Sequence, residues 1–316
     1  MQLGAVPESA LRAQFRAAGV RLLLAGLCIN LRIDVPVVIE QILQLYGGYP
    51  IEPGPGTDDV RVHLKYASPL RRFIGRRTLV FADGAALYRP MPLRHAYLMI
   101  DSALDQCVSA NVANLVLHAA VVERGGLAAI LPAPSGSGKS TICAGLVTRG
   151  WRLLSDELAV LRAADGRLQP FPLPITLKNE SIALIRQLVP DAYISPVFTG
   201  TIRGDMAFLR PPADSIARSA ETAEPALIVS PTYQAGAPVT LRPLRKSETF
   251  RLLAASGINY YATQRFGFDT VAGLVDSCPA WRLSYGTLEQ AVDAIEALLA
   301  RVRMDPTTSR PAITNA

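Results

Sequence analysis

Ala133-Pro-Ser-Gly-Ser-Gly-Lys-Ser-Thr141 is the stretch on which the fold turns. It directly follows the apolar run Leu127 to Leu131 and leads into a helix-forming segment from about Lys139 to Arg149, so the local order is strand, loop, helix. A phosphate-binding loop needs glycines, so that successive backbone N–H groups can turn inward around phosphate oxygens. It also needs a lysine for the β- and γ-phosphates, a Ser or Thr hydroxyl for Mg²⁺, and a helix N-terminus whose partial positive charge faces the anion. Gly136, Gly138, Lys139 and Ser140 meet these needs, with Ser135, Ser137 and Thr141 completing the candidate ATP-binding set. Ala133 stands where the motif's first glycine is usual. An ordinary Gly/Ser turn is the alternative, but it leaves Lys139 without a reason.

Outward from the loop, Trp151-Arg-Leu-Leu-Ser-Asp-Glu157 reads as an apolar strand that ends in two carboxylates. A single βαβ crossover would bring that strand end beside the loop in a parallel sheet. Asp156 and Glu157 then face the metal and the nucleophile. One can hold Mg²⁺, with Ser140 as its companion and Asp156 as the first choice, while the other accepts the proton of a hydroxyl nucleophile. Alone, an Asp-Glu pair after a strand is more often a helix cap or a solvated turn. His118 opens the strand before the loop strand and by itself would pass for a satisfied structural histidine.

Taken together, His118 fifteen residues before the loop, the Ser-Gly-Ser-Gly-Lys-Ser loop and Arg149-Gly-Trp-Arg-Leu-Leu-Ser-Asp-Glu157 resemble the catalytic domain of bacterial HPr kinase/phosphorylase. The chain is more similar still to the group called HPr kinase-related kinase A. The first resemblance covers roughly His118 to Leu161. The second runs over most of the chain, including Leu177-Lys-Asn-Glu-Ser181 and the turn at Arg203-Gly204. The resemblance implies an α/β fold: a P-loop kinase domain like those of HPr kinase and phosphoenolpyruvate carboxykinase. It implies ATP and Mg²⁺ as cofactors, serine as the acceptor type, and Asp156, Glu157, His118 and Lys139 as catalytic residues. The family's carboxylate pair is Asp-Asp, whereas here the second member is Glu157. Its Glu-Ile-Arg-Gly signature appears as Thr201-Ile-Arg-Gly204, which removes a metal-assisting carboxylate and speaks against reverse, phosphorylase chemistry. Lys178 and Arg203 are candidate clamps for a phosphate of nucleotide or substrate. A surface cation, or an ion pair with Glu180, is the bland alternative for each.

The rest of the chain bounds these readings. With 316 residues, half of them apolar, it can bury a large core. A net charge of +6, scattered over Arg far more than Lys, argues against a dedicated nucleic-acid stripe. Its one basic knot, Arg71, Arg72, Arg76 and Arg77, reads as a solvated loop face. Four cysteines without CxxC spacing and three dispersed histidines offer no zinc cage. The apolar stretch Leu22 to Leu31 is too short to span a bilayer and lacks a cleavage site, so a cytoplasmic protein without a membrane partner is expected. Strand, helix and hairpin signals, among them Asp83-Gly84, make residues 1–100 a small α+β module. A helical pattern from Asp101 to Leu117 opens the catalytic domain, 101–304. Pro190 to Pro225 reads as an ordered loop region over the site. Thr287 and Gln290 cap a final amphipathic helix, and residues 305–316 form a disordered tail.

These observations predict an ATP- and Mg²⁺-dependent kinase that phosphorylates a hydroxyl of a peptide or small protein, one encoded nearby being a natural candidate. A small-molecule kinase and a nucleotide-gated peptide-binding module without transfer are the alternatives. A homo-oligomer is compatible with the sequence.

Overall fold

The computed structural model describes residues 1–54, 56–110 and 113–304. The expected tail at 305–316 therefore lies outside the described residues. The fold is mixed α/β, with three sheets and helices on their faces.

The first sheet is built from β1 (Val20–Leu24), β2 (Leu27–Ile33), β3 (Ile51–Glu52), β4 (Val60–Tyr66), β5 (Arg77–Ala82), β6 (Ala85–Ala86) and β7 (Met91–Pro92). Its order is β3-β1-β2-β4-β5-β6, with β7 against β5. The β5–β6 hairpin turns at Asp83-Gly84, whose φ angles of 47° and 83° are the left-handed values that this dipeptide tolerates. Helices α1 (Glu8–Arg16) and α2 (Pro36–Tyr46) pack near β1 and β2, while α3 (Ala96–Ser109) lies on β4 and β5 and buries Tyr97, Ile100 and Leu104.

The second sheet runs in the order β12-β11-β8-β9-β16-β18-β17. Its strands are β8 (Asn114–Arg124), β9 (Leu127–Pro132), β10 (Arg152–Ser155), β11 (Leu158–Arg162), β12 (Leu168–Gln169), β16 (Glu224–Tyr233), β17 (Thr240–Pro243) and β18 (Ala280–Tyr285). β10 pairs with β8 as well. The helical pattern from Asp101 thus stops short of Leu117. Residues Leu115 to Leu117 are buried in β8 and pair there with β11, and that pairing prevails over local periodicity. A third sheet is formed by β13 (Ile175–Lys178), β15 (Gly204–Leu209) and β14 (Phe198–Thr201); β14 and β15 fall within the stretch expected as loop between Pro190 and Pro225, which also holds α6 (Ala213–Ala217).

Helix α4 (Lys139–Thr148) buries Ile142, Cys143, Ala144, Leu146 and Val147 because it is covered by the second sheet, by α5 (Glu180–Leu188) and by α9 (Leu288–Met304). Gly145 allows the close approach of α9, since a Cβ there would sit 2.8 Å from Leu288 Cδ1. Helices α7 (Lys246–Ser256) and α8 (Gln264–Ser277) cover the opposite face. Residues of the first sheet share one buried cluster with Val116, Leu158, Val160, Phe171 and Phe208. All four cysteines are free, and no helix among the described residues is long and apolar enough to cross a membrane.

Candidate active site

β9 ends at Pro132 and the chain then makes the glycine loop before α4. Gly138 is the helix N-cap at φ 89°, and a Cβ there would fall 1.8 Å from Tyr285 Oη, so the position excludes any side chain. At Gly136, φ 87°, a Cβ would meet nothing within 4 Å, so the loop opens onto free space. No side chain caps the start of α4, which leaves its first N–H groups free for an anion at the positive end of the helix dipole. Ser137 Oγ is buried without a hydrogen-bond partner, Ser135 is exposed, and Ser140 and Thr141 are half-buried.

Sheet topology brings the chemistry to this loop, though not by the expected neighbour relation. β9 and β10 run in the same direction, as a crossover through α4 requires, but β8 lies between them. His118 is therefore mid-strand in β8, not at its start, and sits between the loop and the carboxylates. The strand β10 ends at Ser155, directly before Asp156 and Glu157, and a further strand, β11, follows them. β10 and β11 both pair antiparallel with β8, and the two acids occupy the break between them. An irregular break of this kind releases side chains from strict alternation and turns them toward a site.

Lys139, only 5% exposed, reaches from the first turn of α4 to both partners. Its Nζ donates to Glu157 Oε2 at 3.1 Å and lies 2.9 Å from His118 Nε2, while His118 Nε2 and Glu157 Oε2 are 2.8 Å apart. If His118 carries its proton on Nε2 it donates to Glu157, and Lys139 bonds the carboxylate alone. If the proton is on Nδ1, Nε2 accepts from Lys139 instead. Burial alone would raise the Glu157 pKa. The His118 hydrogen bond and the charges of Lys139, His118 and Lys178 outweigh it and hold the carboxyl well below its usual range.

Asp156 is 4% exposed. Its Oδ2 accepts the Thr176 N–H at 3.0 Å, and its Oδ1 has no hydrogen-bond partner. Burial, then the Glu157 charge, push its pKa up to about 6. Lys139, the Thr176 amide and Ser140 act the other way, Ser140 from outside strict hydrogen-bond geometry. The two neighbouring acids thus have opposed environments, the usual mark of divided roles.

Two further carboxylates join them. Asp101 and Asp105, one turn apart on α3, line a cavity of about 10 Å³ together with Ser155, Asp156, Glu157, Leu173, Pro174 and Thr176. Burial, then the charges of Glu157 and Asp156, push Asp101 up to about 8. Asp105 is raised well above the carboxylate range by burial and then by Asp101. Both keep some contact with solvent. Sequence reasoning missed this pair. The signal was there in the i, i+4 spacing of two acids on a helix with no other charged residue.

Lys178 closes β13 and Arg203 sits in the β14–β15 turn. Among the described residues neither has an ion-pair partner, Glu180 included. Their charges nonetheless favour ionised carboxyls, Lys178 at Glu157 and both at Asp101. Thr201 Oγ1 donates to Gly204 O at 2.6 Å and accepts the Arg203 N–H at 3.0 Å, so its hydroxyl holds the turn.

A larger cavity of about 480 Å³ lies on the first sheet, away from these groups. Its lining pairs His63 with Asp34 and Arg61 with Asp58, sets Lys65 over the Phe81 ring, and leaves Asp58 Oδ1 without a hydrogen-bond partner.

No protein-family profile matches the chain, and no curated protein matches it. Among solved structures it is similar to the Hpr(Ser) kinase/phosphatase from Coxiella burnetii, at 13% identity over 60% of this chain and 96% of that one, with a TM-score of 0.27. At that overlap the likeness carries no weight for activity, and the side chains themselves must bear the functional reading.

Proposed function

We propose that the chain is an ATP- and Mg²⁺-dependent phosphotransferase of the HPr-kinase-like type, which moves the γ-phosphoryl group to a hydroxyl, serine first, of a peptide or small protein. The observation that carries this reading is the meeting of Lys139, His118 and Glu157 within 3.1 Å of one another at the mouth of an open glycine loop. On this proposal residues 101–304 carry the chemistry, residues 1–100 form a module that seats α3, and the enzyme works in the cytoplasm.

The residues suit both cofactors. The free N–H groups at the start of α4 and the Lys139 ammonium match a polyphosphate. The orphaned, buried Oδ1 of Asp156 and the Ser140 hydroxyl are hard oxygen donors of the type Mg²⁺ takes. Among the described residues no group of three or more His, Cys, Asp or Glu forms a metal site. Mg²⁺ characteristically takes only one or two carboxylates and completes its shell with water and substrate phosphates. When bound, it neutralises charge on the phosphates.

Lys139 has two alternative partners, the carboxylate of Glu157 and an incoming phosphate. When it turns to the phosphates, Glu157 loses its strongest cationic partner, becomes more basic, and keeps His118 as the group that orients it. Glu157 then accepts the proton of the acceptor hydroxyl as that oxygen bonds to the γ-phosphorus and the bond to the β-phosphate oxygen breaks, leaving ADP. Asp156, fixed by the Thr176 amide, stays on the metal side. Lys178 and Arg203 add positive charge on the acceptor side.

Calorimetric titration with ATP, with and without Mg²⁺, tests the reading. Binding should strengthen with Mg²⁺ in the parent protein and lose that dependence in Asp156→Asn. Absence of ATP binding, or an Mg²⁺ dependence that survives the substitution, would count against it.

A further inference from the structure

The basic knot of the sequence is solvent-exposed, as expected of a loop face, and it also carries apolar side chains. Ser68 to Arg77, the connection between β4 and β5, is exposed at every one of its ten residues. Leu70, Phe73 and Ile74 are 65%, 73% and 64% exposed there, and Arg71, Arg72, Arg76 and Arg77 stand among them. The base of this finger is fixed. The Ala67 N–H donates to Arg77 O at 2.9 Å, the Leu93 N–H to Arg76 O at 3.0 Å, and Arg77 Nη1 to Pro90 O at 3.0 Å. β7 therefore runs alongside and adds Arg89, Arg94 and the part-exposed Met91. Among the described residues none of these six arginines has an ion-pair partner. Neither Ala67 to Arg77 nor Gly84 to Arg94 contains an Asp or Glu.

Three large apolar side chains held out in water are costly, and a solvated basic loop has no use for them. We infer that this hairpin finger docks onto an anionic lipid surface, with Phe73, Ile74 and Leu70 entering the acyl boundary and the arginines lying at headgroup phosphates. Shape and charge select this occupant. A convex finger with no walls offers no groove to a folded partner, whereas a bilayer interface deforms around it. Arginine stems can cover apolar surface while their heads reach phosphate. The Arg72 guanidinium already lies 5.7 Å from the Phe73 ring centre, an arrangement that keeps cation and wedge side by side. The inference does not depend on the activity proposed for the loop site.

Cosedimentation of the full chain with phosphatidylcholine vesicles, with or without phosphatidylglycerol, is the test. Binding is expected only to the anionic vesicles and should fall with salt. Each arginine near such a surface contributes roughly fivefold, so Arg71→Gln, Arg72→Gln and Arg76→Gln combined should weaken binding about 100-fold. A Phe73→Trp variant should show fluorescence quenching by bromine-labelled acyl chains beyond that of the parent's own tryptophans. All these positions are exposed, so the unfolding midpoint should not move and folding failure is excluded by measurement. No sedimentation with anionic vesicles at low salt would overturn the inference. So would Arg-dependent binding without quenching at position 73, or equal binding to polyglutamate, which would make the finger a site for an acidic protein.

Discussion

Lys139→Ala separates two roles that the same ammonium plays. Without nucleotide, the Lys139 ammonium contacts Glu157 beside His118, with three further carboxylates nearby. Removing one partner of a buried pair costs about 3–5 kcal/mol when the other charge is stranded. Here Asp156, pushed up to about 6, and Asp101, pushed up to about 8, relieve part of that charge by taking protons. A loss of about 2–3 kcal/mol remains. At about 2–4 °C per kcal/mol, the melting temperature of the nucleotide-free protein should drop by about 4–12 °C. The second role appears with ATP. At one hundred times its Kd, ATP·Mg²⁺ should stabilise the parent by about 2.7 kcal/mol, and the variant should lose most of this. Differential scanning fluorimetry with and without ATP·Mg²⁺ reads both quantities in one experiment. Pairing Lys139→Met with Glu157→Gln removes both members of the pair and should recover most of the apo loss without restoring the ATP shift. An ATP-induced shift in Lys139→Ala equal to the parent's would refute the reasoning, because the lysine would then be a structural counter-ion only.

The acidic cavity sets the pH dependence. Asp101, with its pKa raised from 3.8 to about 8, binds a proton in the folded protein over a range where the unfolded chain has lost it, so stability falls as pH rises from about 4 through about 8. Glu157, held low, acts oppositely, and only in acid, as pH falls through its depressed pKa. Asp101→Asn should therefore raise the melting temperature more at pH 8 than at pH 5, and thermal melts at the two pH values check this. Gly138→Ala places a Cβ 1.8 Å from Tyr285 Oη at a φ of 89°; it should destabilise by more than the roughly 1–2 kcal/mol of left-handed strain alone, and Tyr285→Phe should return part of the loss in urea unfolding. Because the Thr201 hydroxyl is committed to its turn and carries no charge, phosphorylated product incubated with inorganic phosphate and Mg²⁺ should give no pyrophosphate at a rate near the forward one.

The site was legible where chemistry is local. The glycine loop, its lysine and its helix are contiguous in the chain, and Asp83-Gly84 carries its own turn geometry. What escaped depends on pairing between distant strands. Nothing near Asp156 says that β8 will lie between β9 and β10, or that β11 will follow after Glu157, because register is set by partners some thirty to forty residues away. Those same pairings put His118 mid-strand and next to the carboxylates. Asp101 and Asp105 were hidden for a related reason: the acids share a helix face, but only the docking of α3 shows what that face meets. The strands β14 and β15 are too short, and too rich in glycine at Gly200 and Gly204, for alternation to emerge from a Pro-rich stretch.

The central claim is phosphoryl transfer at this site, and it is tested most directly by incubating the protein with ATP, Mg²⁺ and a degenerate serine-containing peptide library and weighing the products by mass spectrometry. The account predicts peptides heavier by one phosphoryl group. Their yield should fall on the order of 10²- to 10⁴-fold in Glu157→Gln, the loss typical for a general base, while ATP binding persists. Equal yields from parent and Glu157→Gln would contradict it, as would binding of ATP by the parent with no phosphorylated peptide at all.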